Sequence, residues 1–499
     1  MADVPVFISP PDPSLACLPQ HRRMLLWAAV LASGMGFMDG SVTAIAMPAI
    51  RANLSMTLAQ TQWVNLAYLL ALSALVLVGG AAGDRFGTAR VFGAGIVVFV
   101  AASLACTVAA SATHLIAARG VQGIAAAFMV PGSMALIGKA YPADQRGRAL
   151  GFWAAAATAT TAFGPVLGGA LLTWGGDQGW RLIFALNLPL GAVACGLLWR
   201  FSLRDAGNPG VPIDTLGAVL ASGGLGLLAY AITTESAYAV AYGVASGVAL
   251  TAFLLWQMIS RHPMMPLALF RNRAFSAANL ATFLIYAGFT GIAFYLPMLL
   301  ISGWGLTEIA VTAAFLPISV LIAVLSPLAG RWSDRMGPGL LMAAGSVLLG
   351  ISQVGLGLTA GLAAFWSVTL PLMCLTGVGL GLLVAPLTVA VMAAAAETAQ
   401  GAASGINNAV ARVASLVAIA VMGQMAATAY GRVLPDAPGF GAPGFGAAAS
   451  GGAHGAASAL AFSTICGAAA VFSFIAAAVS IWGLRGAGKG REEDAGPTL

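Results

Sequence analysis

The chain has 499 residues, of which 60% are hydrophobic and only 8% charged, and its formal net charge is +6. Soluble domains carry about 25% charged residues, so a water-soluble globular protein is excluded. The apolar stretches are continuous rather than short and alternating, which excludes a membrane β-barrel, and the basic residues are scattered through short connections, which argues against a nucleic-acid surface.

Residues 1–20 are Pro-rich, and residues 1–23 are expected to be a disordered cytoplasmic tail. His21, Arg22 and Arg23 precede an apolar run too long for a signal peptide, so an uncleaved first span is expected. That run, Met24 to Ile50, carries Asp39 well inside. A carboxylate at bilayer depth costs roughly 2.5 kcal/mol or more, so it calls for a function and a named partner.

Fourteen apolar runs follow one another, at 24–48, 60–82, 89–111, 114–137, 148–173, 181–200, 214–233, 238–259, 275–301, 308–330, 339–360, 364–392, 404–428 and 458–484. An even number puts both termini on one side. Of 22 Lys and Arg, 17 fall in the tails and the loops of that side. Arg51, Arg181 and Arg432 fall opposite, and Arg119 and Arg412 lie within spans. The positive-inside rule makes the side of the termini cytoplasmic. The expected fold class is therefore an all-α polytopic membrane protein with fourteen transmembrane helices.

The loop at 429–457 holds the sequence APGFG twice, at 437–441 and 442–446. It reads as a flexible linker rather than a lid. Cys17, Cys106, Cys195, Cys374 and Cys466 show neither metal spacing nor a disulfide framework. The four His (His21, His114, His262, His454) are single and peripheral, and there is no HExxH, GxSxG or GxxxxGK[ST] stretch. An enzyme and an ATP-driven machine are both disfavoured, and no metal or cofactor is expected.

One repeat organises the chain. Gly80-Ala-Ala-Gly-Asp84-Arg85-Phe-Gly87 recurs as Gly330-Arg-Trp-Ser-Asp334-Arg335-Met-Gly337. Each copy follows a span and enters a loop on the side of the termini. Parallel repeats of this kind build transporters from two halves with the site between them. The expected division is a six-helix bundle at 24–205, two inserted helices at 206–262, a second six-helix bundle at 263–484 and a cytoplasmic tail at 485–499.

These motifs resemble the major facilitator superfamily. Met38-Asp-Gly-Ser-Val-Thr-Ala-Ile-Ala-Met-Pro48 in the first span and Trp63-Val-Asn-Leu-Ala-Tyr68 in the second are similar to its fourteen-spanner drug/proton antiporters. So are Arg119-Gly-Val-Gln122-Gly123 in the fourth span, Gly164-Pro165-Val-Leu-Gly168-Gly169 in the fifth, and Trp180-Arg181 through Asn187-Leu-Pro189 in the sixth. The resemblance covers about residues 24–484. It implies an exporter in which the fifth-span motif marks antiporters, while Asp84, Arg85 and, more weakly, Asp334 and Arg335 latch one face. The chain departs from the family where Thr88 and Ala89 replace two basic residues after Gly87, and where Pro338 follows Gly337.

Depth argues for a partner. At 1.5 Å per residue, Asp39 lies roughly 12 Å below the outer end of helix 1. Arg119 and Gln122 lie roughly 8 and 12 Å into helix 4 from the same side. The three share one layer, and a buried Asp beside a cation stays ionised until that cation is withdrawn. Proton coupling at Asp39 is the functional reading, and a static ion pair is the plainer one. Arg412 lies at similar depth from the other side with Asn407 and Asn408 a turn before it, as polar packing or as a substrate contact. The expected function is proton-coupled export of small amphipathic or drug-like compounds across a bacterial inner membrane. An uptake symporter and a non-transporting sensor on the same scaffold are the other readings. The expected partners are protons, a small-molecule substrate and the lipid bilayer, with a periplasmic adaptor or outer-membrane channel as a further candidate. No nucleic acid is expected, and the chain is expected to be monomeric.

Overall fold

The computed structural model describes residues 19–201, 207–210, 212–234, 237–395, 400–435, 440–441 and 452–484. Residues 1–18 and 485–499 of the expected tails, Cys17 and the second APGFG copy lie outside the described residues, as do the side chains of Pro165 and Asp334; Pro19 to Arg23, expected in a disordered tail, instead form the first turns of α1, continuous with the apolar run that follows. Everything regular among the described residues is helical. The elements are α1 (Pro19–Asn53), α2 (Leu58–Phe86), α3 (Thr88–Thr107), α4 (Ala112–Ala140), α5 (Ala143–Gly175), α6 (Gly179–Ala185), α7 (Asn187–Phe201), α8 (Thr215–Thr233) and α9 (Ala239–Ile259). There follow α10 (Arg273–Met298), α11 (Glu308–Met336), α12 (Pro338–Thr359), α13 (Leu370–Ala393), α14 (Gln400–Gly431) and α15 (Ala453–Gly483). Twelve helical stretches of the described residues are long and apolar enough to cross a bilayer. The first helix, bent by 49° between His21–Gly40 and Val42–Asn53, makes up to thirteen.

The repeated loop motif has a clear local role. Its last glycine ends one helix and starts the next. Gly87 has φ 98° and donates to the Gly83 carbonyl at 3.0 Å, and Gly337 has φ 78° and donates to the Ser333 carbonyl at 2.9 Å. Positive φ costs a side chain heavily and glycine little. Thr88 and Pro338 then open the following helices at once, and Pro338 suits a first helical turn because its missing N–H has no partner to lose there. The residues that replace the family's basic pair are thus inside a tight helix-to-helix corner.

The helices assemble as two groups. In the first, α2 packs on α4, α3 on α4 and α7, and α1 on α5 and α7; in the second, α12 packs on α13 and α15, α11 on α13, and α10 on α14 and α15. Between the groups α5 meets α11, α14 meets α2, and α1 meets α10. The α8–α9 hairpin lies against α2 and α14, outside that seam. Small residues set these approaches. A methyl added at Gly168 of α5 would come within 2.8 Å of Val42 Cγ1 on α1. One added at Gly405 of α14 would come within 2.7 Å of Leu77 Cδ2 on α2. Close backbone approach through small residues is what drives helix association where lipid supplies no hydrophobic force.

Candidate functional site

Asp39 lies at the bend of α1 and is 2% exposed. Arg119 and Gln122 are one turn apart on α4 and are both fully buried. Arg119 Nη1 donates to Asp39 Oδ2 in a salt bridge whose two side chains have no solvent exposure. The same Nη1 donates to Gln122 Oε1 at 2.7 Å, and Arg119 Nε donates to the Val64 carbonyl on α2 at 3.1 Å. Gln122 Nε2 closes the triangle by donating to Asp39 Oδ1 at 3.2 Å. The layer anticipated from helix depth is a contact layer because α1 and α4 are neighbours.

A second ring of residues holds the first. Gln122 Nε2 also donates to Ser103 Oγ on α3 at 3.0 Å, and Asn187 Nδ2 at the start of α7 donates to the same hydroxyl at 3.2 Å. The guanidinium of Arg119 lies 4.4 Å over the ring of Tyr68 and 5.8 Å from that of Phe184. Two buried polar atoms, Arg119 Nη2 and Asn187 Oδ1, have no hydrogen-bond partner among the described residues. An unmatched buried donor costs about 1–3 kcal/mol. It also leaves the arginine able to donate to one more acceptor without breaking any existing bond.

Ser103 has no signal in the sequence beyond lying in a span, and Phe184 stands only inside the longer sixth-span motif. Tyr68 and Asn187 stood only inside longer motifs, with nothing to say which way they faced.

The other candidate residues lie elsewhere. Gly80, Asp84, Arg85 and Gly87 are at the end of α2, and Gly330, Arg335 and Gly337 at the end of α11, away from the Asp39 layer. Asp84 is exposed and its backbone carbonyl accepts from Asn208 N at 2.8 Å; Arg85 lies 5.5 Å over the Phe86 ring. Gly164, Gly168 and Gly169 are buried on α5, with Gly168 against α1 and Gly169 against Thr312 of α11. This stretch therefore sits between the halves as well as beside Asp39.

Asn407 donates to Asn279 Oδ1 at 3.3 Å and to Thr282 Oγ1 at 2.7 Å, so it ties α14 to α10. Asn407 and Asn408 both line a cavity of about 300 Å³ with Tyr286, Phe289, Met392 and Met134. That cavity draws on both halves, and no charged residue among the described residues lines it.

Two further expectations change. His454 is buried, not peripheral: its Nδ1 lies 2.6 Å from Tyr430 Oη and its Nε2 3.2 Å from the Ser302 carbonyl. The linker is anchored rather than free along its whole length. Phe440, in the first APGFG copy, is fully buried 6.1 Å from the Tyr295 ring, and its carbonyl accepts a hydrogen bond from Arg51 Nη1. An apolar ring facing an apolar wall outweighs the linker's composition at that one residue.

Residues 29–419 match the family model described as Major Facilitator Superfamily. The chain is 34% identical to an uncharacterised MFS-type transporter of Mycobacterium tuberculosis, over 83% of this chain and 71% of that protein. It is 30% identical to the tetracenomycin C resistance and export protein of Streptomyces glaucescens, over 82% of this chain and 78% of that one. Among solved structures it is similar to a bacterial homolog of the human lysosomal transporter Spinster in an inward-facing, unoccupied conformation. The TM-score is 0.66 at 17% identity, over 94% of this chain and 98% of that one, which shows the shared fold.

Proposed function

The chain belongs to the Major Facilitator Superfamily, and from that premise we propose that it is a proton-coupled antiporter exporting small, amphipathic, drug-like compounds across the plasma membrane by alternating access. One observation carries the reading: a carboxylate buried at bilayer depth, bonded to Arg119 and Gln122 in a layer that also holds an unpartnered arginine nitrogen. A membrane acid so placed is costly and is retained for proton or ion work. A cation beside the carboxyl favours the anion, and positive charge withdrawn from its surroundings favours the neutral acid. Proton and cargo are exchanged when each binds better to a different global state.

Export of antibiotic-like cargo is supported by the name of the tetracenomycin C relative and by the uncharged, largely apolar lining of the cavity. Both termini are assigned to the cytoplasm from the distribution of Lys and Arg. Fourteen spans, in two bundles with α8 and α9 inserted between them, remain the preferred count. One of the apolar stretches, Val166–Phe201, is 36 residues long and contains the turn at Gly176, where φ is 55°. As one helix it would be about 54 Å long, against a hydrocarbon core of about 30 Å. Dividing it at Gly176 gives two crossings.

Growth of a pump-deficient strain expressing the protein, against a panel of antibiotics with and without a collapsed proton gradient, should reveal the cargo. Purified Asp39→Asn reconstituted in vesicles should then fail to move that cargo uphill on a proton gradient. Uphill transport by this variant would overturn the reading.

A further inference from the structure

Among the described residues, every protein group bonded to the Asp39 carboxylate belongs to the first half of the chain. Arg119 and Gln122 come from α4, and behind them Ser103, Asn187 and Tyr68 come from α3, α7 and α2. Alternating access in two-bundle carriers is largely a rocking of one bundle against the other. Groups that move as one body keep their mutual geometry. The Asp39–Arg119 pair alone therefore gives the carboxyl the same protein partners in each state. A group from the other half is needed to make its proton affinity depend on which state the protein is in.

The second half supplies one charged side chain at that height among the described residues. Its other charged residues stand beyond helix ends or within the first or last two turns: Arg271, Arg273, Glu308, Arg331, Asp334, Arg335 and Arg432. Arg412 is in the body of α14. It shares a stripe of that helix with Ser404 and Asn408, at intervals of four residues, and both of those line the cavity. Because α14 runs against α2 with Gly405 at Leu77 and Gly423 at Gln62, Arg412 is level with the turn that carries Tyr68. Tyr68 lies in the electrostatic field of Asp39, Arg119 and Arg412 together. Arg412 is half-buried and makes no hydrogen bond or ion pair with the described residues. The titratable and charged groups around this layer are thus Arg119, Tyr68 and Cys106 from the first half and Arg412 from the second.

We propose that Arg412 is a positioning residue for proton release: held beside the Asp39 layer by α14, its charge favours the ionised carboxylate in this conformation, and the reading rests on Asp39 being the proton carrier. When rocking of the second half draws α14 away from α2, that charge leaves and Asp39 takes a proton more readily. The proton is then bound in one state and released in the other. The sign suits import: on the α2 Asp84–Arg85 side, assigned to the cytoplasm, the cavity beside Asn408 is present while Arg412 is near.

The test needs no cargo. The protonated-carboxyl infrared band of the full-length protein in lipid is titrated with pH, and its Asp39 component is identified as the part lost in Asp39→Asn. In Arg412→Gln and Arg412→Met the midpoint of that component should rise by about one pH unit or more, because a nearby positive charge has been removed. In Arg412→Lys, which keeps the charge and loses the guanidinium shape, the midpoint should stay with the wild type. An Asp39 component that titrates identically in all four proteins, or that shifts equally in the lysine variant, overturns the role of Arg412 and leaves the antiport reading standing. The absence of any titrating component removed by Asp39→Asn overturns the antiport reading itself.

Discussion

At the scale of single residues the site depends on Gln122 as much as on the ion pair. Its amide accepts from Arg119 and donates to both Asp39 and Ser103, so one side chain joins three helices. Leucine is close in size and can make none of these bonds. Gln122→Leu leaves one carboxylate oxygen and one hydroxyl of the buried network without that donor, each at a cost of about 1–3 kcal/mol. A lowered thermal midpoint of the purified protein, together with transport reduced at least tenfold, is expected. Arg119→Ala should be worse, because an unpaired buried charge costs about 3–5 kcal/mol. A Gln122→Leu protein with wild-type stability and transport would mean that the amide is a bystander. Full activity in Gln122→Asn would instead mean that the network tolerates a shorter reach.

Two elements show how sequence and packing divide the work. The α5 motif places Gly168 against Val42 of α1, three residues beyond Asp39, and Gly169 against α11 of the other half. A bulky side chain there pushes on the bend that carries Asp39 and on the seam between halves. Gly168→Leu should insert in the membrane at normal levels and transport at less than about a tenth of the wild-type rate, since overpacking a close helix contact costs about 1–3 kcal/mol. Normal transport would reduce the motif to packing.

The α8–α9 hairpin is pinned by Asp214, which accepts from Gly217 N, Trp256 Nε1, Gln257 Nε2 and Met264 N. Burial pushes this carboxyl up, but the four hydrogen bonds outweigh it and hold it below its ordinary value. A carboxyl lowered by folding stabilises the fold above its unfolded value, about 3.9, and that contribution is lost only as pH falls through the lower folded value. Thermal unfolding should therefore show no Asp214-dependent loss between pH 7 and 5, roughly, and a loss below about pH 4 that Asp214→Asn flattens. An acid limb unchanged in that variant would assign the loss to other groups.

For the whole molecule, the face away from the repeated loops is closed by contacts between distant segments. Gln62 Nε2 donates to Tyr295 Oη at 3.1 Å, Tyr295 Oη donates to the Ile419 carbonyl at 2.6 Å, and Phe440 and Arg51 lie beside them. These tie α1 and α2 of the first half to α10, α14 and the linker of the second. Phe440→Ala removes the buried ring and should favour opening of this face. Modification of a Gln62→Cys reporter by a membrane-impermeant thiol reagent is then expected to quicken at least threefold. An unchanged rate would show that the linker residue covers the closure without holding it.

The order of apolar runs, the repeated loop and the lone acid in the first span were legible in the sequence, because the bilayer imposes length, charge placement and the cost of a buried carboxylate on any chain that crosses it. The common depth of Asp39, Arg119 and Gln122 followed from helix rise alone. Which helix faces which did not, since spans apolar on every side carry little periodic signal and lipid and protein neighbours are equally oily. Only the tertiary structure brought Ser103, Asn187 and Tyr68 around the ion pair, buried Phe440 and His454, tied Asn407 to α10 beside the cavity that Asn408 also lines, and set Arg412 of the second half level with the turn of Tyr68 in the first. Rise along a helix is local and fixed, whereas rotation about its axis is decided by the neighbours it meets.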